Sequence, residues 1–332
     1  QRTLSGQIYS LVDLTTLPSL HGTRDLTPID VAAPGLHMGA FALPIHPGSG
    51  LIRKPEMPRN HSNRRKAHDS ADNARRGPAR PPRRGGKGRD SGGADGGPLW
   101  IWGTHAVAAA LANPARTCHE LLATENAAQR LPAGAVQPVI VSAKDIDSRL
   151  PDGAVHQGVA VKVDPLEPVA LEDLIDAGVS HIAVLDQVSD PHNLGAVYRS
   201  AAAFGFGGLV LQTRNAPNVT GVAAKAAVGA IETVREARVV NIARALEQLA
   251  EAGYHTVGLA GEGQRLIADA VEGAPKLAIV LGAEGPGIRP AVAKACAELA
   301  RIPIAPEMES LNVSNAAAVA FYESSRNRFP LS

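Results

Sequence analysis

Short apolar runs alternate with helical stretches through the second half of the chain, and this alternation constrains the fold more than any other feature. Most of these runs are continuously apolar, as strands buried on both faces are, and lack a polar–apolar alternation. Strands separated by helices predict a parallel sheet with helices on both faces. The predicted strands span 181–188, 208–213, 256–260, 276–282 and 301–305, and the predicted helices include 241–253 and 290–300.

A smaller α/β unit is predicted ahead of this sheet, over residues 98–164. An apolar strand leads to Thr104, which we expect to cap an alanine-rich helix that ends at Asn113. Three further strands and two short helices follow. Residues 165–179 are then predicted to form a linker with a short helix, and residues 180–328 to form the larger unit.

The region before these units is strongly basic. Residues 57–97 carry eleven Lys or Arg against four Asp, a net charge of +7, although the whole chain carries only +1. This stretch is rich in Pro and Gly and is predicted to be disordered, because it cannot bury enough apolar surface to fold. Two interpretations stay open: a solvated linker, or an arm that binds phosphate backbones without specificity. Residues 1–56 match no pattern, and we expect natural translation to start at Met57 or Met38, which would make the upstream residues an annotation extension.

Composition argues against several classes of protein. No apolar run approaches the roughly 18 residues of a membrane span, and no signal-peptide pattern is visible. Cys118 and Cys296 lie far apart and outside any ligand-like cluster, which predicts a reduced, cytoplasmic protein without disulfides or a zinc site. Aromatic residues make up 3% of the chain, too few for an extended platform that stacks single-stranded nucleic acid.

Three loops that follow predicted strands carry polar residues, and open parallel sheets bind ligands beyond the carboxyl ends of their strands. The first loop, DPHNLGAVYRSAAAFG, places Asn193 where a helix cap belongs and Arg199 two turns into the helix. Taken alone, a capped helix with a surface arginine is the simpler explanation of this loop.

The second loop, GAEGPGIRP, contains Gly282, Gly285 and Gly287, which would let the backbone approach a ligand closely. Their G-x-x-G-x-G spacing is not that of a dinucleotide fold, and no Lys-Ser or Lys-Thr pair follows as in a phosphate loop. Glu284 would repel a pyrophosphate, but it could accept hydrogen bonds or help hold a cation. A plain glycine turn is the simpler explanation of this loop alone.

The third loop opens MESLNVSNAAAVAFYE, residues 308–323, where small polar residues crowd the first turn of a predicted helix. They are Ser310, Asn312, Ser314 and Asn315. One such residue suffices to cap a helix. A capped helix that packs through its alanines therefore explains one of the four and not all of them.

Together, the three loops resemble the three motifs of the SpoU family of RNA ribose 2′-O-methyltransferases, in the SPOUT superfamily, over residues 180–328. The preceding unit, which ends in HQGVAVKV, is similar to the small ribosomal-protein-like RNA-binding domain of the bacterial 23S rRNA guanosine 2′-O-methyltransferases. Residues 1–96 match nothing in the family. The resemblance implies an α/β fold with a C-terminal trefoil knot, an exception to the rule against threaded chains. It also implies S-adenosyl-L-methionine bound in the knot, and a homodimer with its active site at the subunit interface.

The resemblance also implies roles for individual residues. Gly282, Ile302 and Leu311 match the family's cofactor contacts. The implied catalytic residues are Asn193, Arg199, Glu284, Ser310 and Asn312. Of these, Ser310 and Asn312 would face the target ribose, and Asn193 and Glu284 would orient Arg199 and the substrate.

Family mechanism suggests that Arg199 takes or relays the ribose proton, assisted by an RNA phosphate. An arginine with a pKa above about 12 is almost always charged, so positioning a phosphate stays open as its alternative role. Methyl transfer from a sulfonium mainly requires alignment and the handling of one proton. No metal is therefore expected, and His105, His156 and His192 are not needed as ligands.

The expected activity is methylation of a guanosine 2′-hydroxyl in 23S rRNA, with RNA, and neither DNA nor a membrane, as the partner. A tRNA 2′-O-methyltransferase is the alternative within this class, although the tRNA enzymes typically lack the HQGVAV unit. From a different class, a catalytically silent RNA-binding or ribosome-assembly protein stays open, although the intact set of site residues argues against it. The glycine spacing disfavours a nucleotide-dependent oxidoreductase.

Overall fold

The computed structural model describes residues 97–132, 136–214 and 217–329. The predictions for residues 1–56 and for the basic stretch up to residue 96 lie outside the described residues. The strands are β1 (Leu99–Trp102), β2 (Cys118–Ala123), β3 (Val139–Ile140), β4 (Val159–Val163), β5 (His181–Asp186), β6 (Gly208–Gln212), β7 (Arg235–Val239), β8 (His255–Leu259), β9 (Arg265–Leu266), β10 (Leu277–Gly282) and β11 (Glu298–Arg301). The helices are α1 (Thr104–Ala112), α2 (Glu125–Ala128), α3 (Ala143–Asp147), α4 (Leu171–Asp176), α5 (Pro191–Ala203), α6 (Gly221–Ala227), α7 (Ile242–Glu251), α8 (Ile267–Ala270), α9 (Pro290–Ala295) and α10 (Val313–Ser325).

The first four strands form a small sheet in the order β1-β4-β2-β3. β4 pairs antiparallel with both β1 and β2, and β3 adds to β2 in parallel. All four residues of β1 are buried, and α1 covers the sheet with its buried residues Ala106, Val107 and Ala110.

The other seven strands form a sheet in the order β7-β6-β5-β10-β8-β11-β9. Every strand pair in it is parallel. β5 and β10 lie at its centre and consist of residues that are almost all buried. The prediction of a parallel sheet from continuously apolar runs is therefore confirmed.

The predicted strand at 301–305 and the predicted helix at 290–300 are wrong in their boundaries. α9 ends at Ala295, and the final strand runs over Glu298–Arg301 instead. β11 lies between β8 and β9, with Leu299 packed against Gly258 of β8. Strand pairing therefore overrides the helical propensity of an alanine-rich stretch.

The start of α1 also differs from the prediction. Gly103, with φ 89°, occupies the cap position, and Thr104 is the first helical residue. The Thr104 N–H donates to Gln157 Oε1 at 3.1 Å, and Lys225 Nζ of α6 donates to the same oxygen at 3.1 Å. Gln157 thus joins the start of α1 to a helix of the larger sheet unit.

A buried ion pair joins the smaller unit to the larger sheet unit at a second point. Arg116 donates from Nη2 and Nε to the two carboxylate oxygens of Glu232, at 2.7 and 3.1 Å. Asn113 Nδ2 donates to the same carboxylate at 2.8 Å. The Arg116 and Glu232 side chains are only 2% and 4% exposed. Because both partners are desolvated, removing either one would leave a buried charge unpaired.

His181, the first residue of β5, is a buried titratable group on the opposite edge of the sheet from the loops discussed below. Its ring packs edge-on against Phe206 at 5.3 Å, and Nδ1 lies 3.0 Å from Ser180 Oγ. Burial, with a smaller contribution from the positive charge of Arg328, lowers the pKa of His181 to about 4. The imidazole is therefore neutral in the folded protein at neutral pH.

This burial predicts a pH-dependent loss of stability. The unfolded chain takes up a proton at His181 near pH 6.5, whereas the folded chain does so only near pH 4. The free energy of unfolding should therefore fall as the pH drops through that window. His181→Phe should remove this part of the loss, as measured by urea denaturation at several pH values. Parallel pH profiles for the variant and the wild type would contradict the assignment.

Candidate active site

A cavity of about 360 Å³ opens at the carboxyl ends of β8, β10 and β11. Its walls come from the loops that follow these strands. Gly282, Ile302 and Leu311, the three predicted cofactor contacts, all line it, as do Glu284 and Ser310. The structure therefore brings five of the eight predicted site residues to one cavity.

The glycine loop folds tightly on itself. A Cβ on Gly282 would lie 2.1 Å from the carbonyl carbon of Gly287. The Gly287 N–H donates to the Ala283 carbonyl at 3.0 Å, and both Gly285 and Gly287 have positive φ angles, 83° and 69°. Gly282 is thus needed for an approach between two parts of the loop's own backbone, whereas the sequence suggested only an approach to a ligand.

A hydrogen-bonded cluster of three polar side chains lies beside this cavity. Asn193 Nδ2 donates to Glu284 Oε1 at 3.0 Å. Asn312 Nδ2 donates to the same Glu284 oxygen at 2.6 Å and to Asn193 Oδ1 at 3.1 Å. One residue from each of the three polar loops therefore meets at a single point.

The Asn312 side chain has two roles at the polar start of α10: it caps the helix, and it binds residues of the other two loops. Its side-chain Oδ1 caps the helix, accepting from the Ser314 N–H at 2.9 Å, the Asn315 N–H at 3.4 Å and the Ser314 hydroxyl at 2.6 Å. Its Nδ2 serves the cluster with Asn193 and Glu284. Ser310 instead lines the cavity and makes no side-chain hydrogen bond within the described part of the chain.

The sequence suggested that Asn193 caps α5, but the structure places a different residue at the cap. Asp190 holds the cap position and accepts from the His192 N–H at 3.1 Å, and Pro191 is the first helical residue. Asn193 lies two positions further on and is buried at 9% exposure. Since it has no capping role, its buried amide is free to serve the cluster.

Arg199 is the one predicted catalytic residue that the structure does not bring to the cluster or the cavity. Its side chain is exposed, and among the described residues it has no hydrogen bond or ion pair. Six residues after Asn193, it lies about 120° around α5 from that residue. Gly195, one turn earlier, packs against Ala223 and Ala226 of α6, so Arg199 lies towards that side of α5.

Sequence reasoning missed a second polar contact of the glycine loop. Arg289 forms an ion pair with Asp186 at the end of β5, with Nη2 2.6 Å from the carboxylate. Burial, and then the Asp186 charge, raises the pKa of the nearby Cys296 thiol to about 12. Two sequence features could have indicated this ion pair. They are the aspartate that ends the apolar run AVLD and the arginine two residues after the last glycine of the loop.

The charged side chains among the described residues that line the cavity are all acidic. They are Glu262, Glu284 and Glu309, and none of the described lining residues is Lys or Arg. A ligand with positive charge is therefore favoured over one that carries phosphates. Within the described ranges there is no group of three or more metal-ligating side chains, and no helix there is long and apolar enough to cross a membrane.

Comparison with known proteins agrees with this arrangement. Residues 180–322 match the SpoU rRNA Methylase family, and residues 100–169 match the RNA 2′-O ribose methyltransferase substrate binding family. The 23S rRNA (guanosine-2′-O-)-methyltransferase RlmB of Vibrio vulnificus is 37% identical over 240 residues, which cover 69% of this chain and 97% of that protein. The chain therefore belongs to the SpoU rRNA methylase family, as its three motifs predicted.

Other relatives match over a smaller share of their length. A protein of Mycolicibacterium vanbaalenii named "Uncharacterized tRNA/rRNA methyltransferase" is 39% identical over 189 residues, 55% of this chain. The chain spans 60% of that protein's length.

Solved structures share the fold. The SpoU methyltransferase AviRb of Streptomyces viridochromogenes, in complex with AdoMet, superposes with a TM-score of 0.58 at 22% identity, over 70% of this chain and 91% of its own. A putative RNA methyltransferase of the TrmH family from Porphyromonas gingivalis superposes with a TM-score of 0.55 at 25% identity, over 69% of this chain and 90% of its own.

The contact between Gly282 and Gly287 predicts a sharp difference between two glycines of the same cavity. Gly282→Ala forces backbone atoms apart and should cost roughly 1–3 kcal/mol or more in unfolding free energy. Gly261 also lines the cavity, but a Cβ there would meet no atom within 4 Å. Gly261→Ala should therefore be nearly neutral. Urea denaturation of both variants makes the comparison, and equal stabilities would argue against the tight loop.

Proposed function

We propose that this protein transfers a methyl group from S-adenosyl-L-methionine to the ribose 2′-hydroxyl of a guanosine in 23S rRNA. The observation that carries the proposal is the cluster of Asn193, Glu284 and Asn312 beside the acidic cavity. Three loops that are far apart in sequence meet there, and each contributes one side chain. A tRNA ribose 2′-O-methyltransferase is the alternative.

The cavity suits the proposed cofactor. Bound S-adenosyl-L-methionine supplies a methyl group on a positively charged sulfonium. The described lining residues that carry charge are all glutamates, and their carboxylates favour a cation. The volume of about 360 Å³ falls in the usual range of small-molecule sites. Gly282, Ile302 and Leu311 would hold the cofactor through the backbone of the loops, and Ser310 would lie at the open side, towards the ribose.

RNA as the substrate is supported by the smaller unit. Its match to a substrate-binding family covers residues 100–169. The identity to RlmB proteins, which are named for 23S rRNA guanosine, favours rRNA over tRNA. We further propose a homodimer, a trefoil knot at the carboxyl ends of the large sheet, and action in the cytoplasm without DNA as a partner.

The residues of the cluster can hold the substrate but do not include a strong base. Asn193 and Asn312 both donate to Glu284, which fixes its carboxylate. Arg199 stands apart from them on α5 and is exposed, so it is accessible to an RNA backbone. We propose that it acts on the ribose hydroxyl or its phosphate, either as the group that relays the proton or as a phosphate clamp.

Methyl transfer to defined RNAs tests the function. Purified protein with labelled S-adenosyl-L-methionine should methylate a guanosine 2′-hydroxyl in 23S rRNA transcripts, mapped by primer extension at low nucleotide concentration. Labelling of tRNA alone would favour the alternative. No transfer to either RNA, with RNA binding intact, would favour a silent RNA-binding protein.

Substitution of Arg199 is predicted to lower turnover without weakening cofactor binding. Arg199→Ala should lower the single-turnover rate on the order of 10²-fold or more, the usual span for acid–base groups. Its affinity for the cofactor should change little, because Arg199 does not line the cavity. Arg199→Lys keeps a charge but loses the planar fork, and we expect it to stay nearly inactive.

Arg244, an exposed arginine on α7, provides the matched control. Arg244→Ala should retain wild-type turnover. Near-normal turnover of Arg199→Ala would remove Arg199 from the mechanism. Substantial recovery by Arg199→Lys would show that positive charge near the phosphate suffices.

A further inference from the structure

A fully buried carboxylate lies where the two central strands of the large sheet end. Asp186 is the last residue of β5, has 0% exposure, and pairs in register with Gly282, the last residue of β10. Burying a carboxylate is costly unless it is paired and hydrogen-bonded. Asp186 therefore requires a positively charged partner that also donates hydrogen bonds to it.

That partner is Arg289, at the far end of the glycine loop. Its backbone N–H donates to Asp186 Oδ2 at 3.0 Å, and its Nε donates to Oδ1 at 2.9 Å. Its Nη2 also lies 2.6 Å from Oδ1. Side chain and main chain are thus both fixed to the same carboxylate, through hydrogen bonds to a charged acceptor, which are stronger than neutral ones.

The loop between Gly282 and Arg289 is consequently held at two points. Glu284 is bound by Asn193 and Asn312 on one side. Arg289 is bound by Asp186 on the other. The segment between these two attachments, residues 285–288, forms a wall of the cavity, whereas Asp186 and Arg289 do not line it.

We propose that Asp186 and Arg289 are positioning residues that set the affinity for the cofactor by holding this wall in its binding shape. The inference rests on the proposed function, because it assigns the cavity to S-adenosyl-L-methionine. Without the pair, the loop would adopt other shapes, and the apparent dissociation constant would rise by the inverse of the competent fraction. Turnover at saturating cofactor would change much less, because neither residue contacts the reacting groups.

The experiment replaces the charged pair by a neutral one, Asp186→Asn with Arg289→Gln, so that no buried charge is left unpaired. The matched control is Arg116→Gln with Glu232→Gln, a buried pair of the same chemistry that lies away from the cavity. Both double variants are expected to lose stability. Binding of S-adenosylhomocysteine is measured by calorimetry, and the KM for S-adenosyl-L-methionine and kcat by methyl transfer to RNA.

We expect the Asp186/Arg289 variant to bind about tenfold or more weakly, the result if one molecule in ten holds the competent loop. Its KM should rise in proportion, with kcat nearly retained, and the control pair should bind as the wild type does. Arg289→Lys, which keeps the charge without the fork, should lie between the two and serves as the test if the double variant does not fold.

A wild-type dissociation constant in the Asp186/Arg289 variant or in Arg289→Lys would overturn the inference. An equal rise in the control pair would also overturn it, because the effect would then be general destabilisation. If the wild type itself does not bind S-adenosylhomocysteine, the proposed function fails, which is a separate result.

Discussion

The pairing of β10 with β5 on one side and β8 on the other determines where every loop of the site can lie. Because all these strands run in parallel, their carboxyl ends come to one edge of the sheet. The loops after β5, β10 and β11 must therefore approach one another there. The Asn193–Glu284–Asn312 cluster and the Asp186–Arg289 pair are the contacts that this proximity makes possible.

Apolar runs made the central strands predictable, since β5 and β10 are buried on both faces and need apolar residues throughout. The edge strand β7 escaped prediction for the opposite reason. Its sequence, REARV, is mostly charged and so lacks the apolar run that marks a buried strand. The charges are accommodated in the sheet because Glu236 and Arg238 pair with each other and the Tyr198 hydroxyl donates to Glu236. The strand at Glu298–Arg301 was predicted a few residues too late, because its sequence alone resembles a helix. Only the pairing with β8 and β9 makes it a strand.

Five residues that the motifs singled out line one cavity, because the loops that carry them leave the carboxyl ends of neighbouring parallel strands. The individual contacts were beyond sequence reasoning. Asn312 and Asn193 are 119 residues apart, and Asp186 and Arg289 are 103 apart. Nothing local to either residue specifies such a partner. The attachment of the smaller unit through Gln157–Lys225 and Arg116–Glu232 is long-range in the same sense.

Asn312 carries a consequence for how this protein can be altered. The oxygen of its side-chain amide caps the last helix, and the nitrogen of the same amide donates to Asn193 and Glu284. Aspartate would preserve the first function and place a second negative charge against Glu284, and serine would cap the helix without reaching across to the other loops. A substitution at this position therefore cannot change the helix cap without also changing the contact between the three loops, because a single planar group serves both.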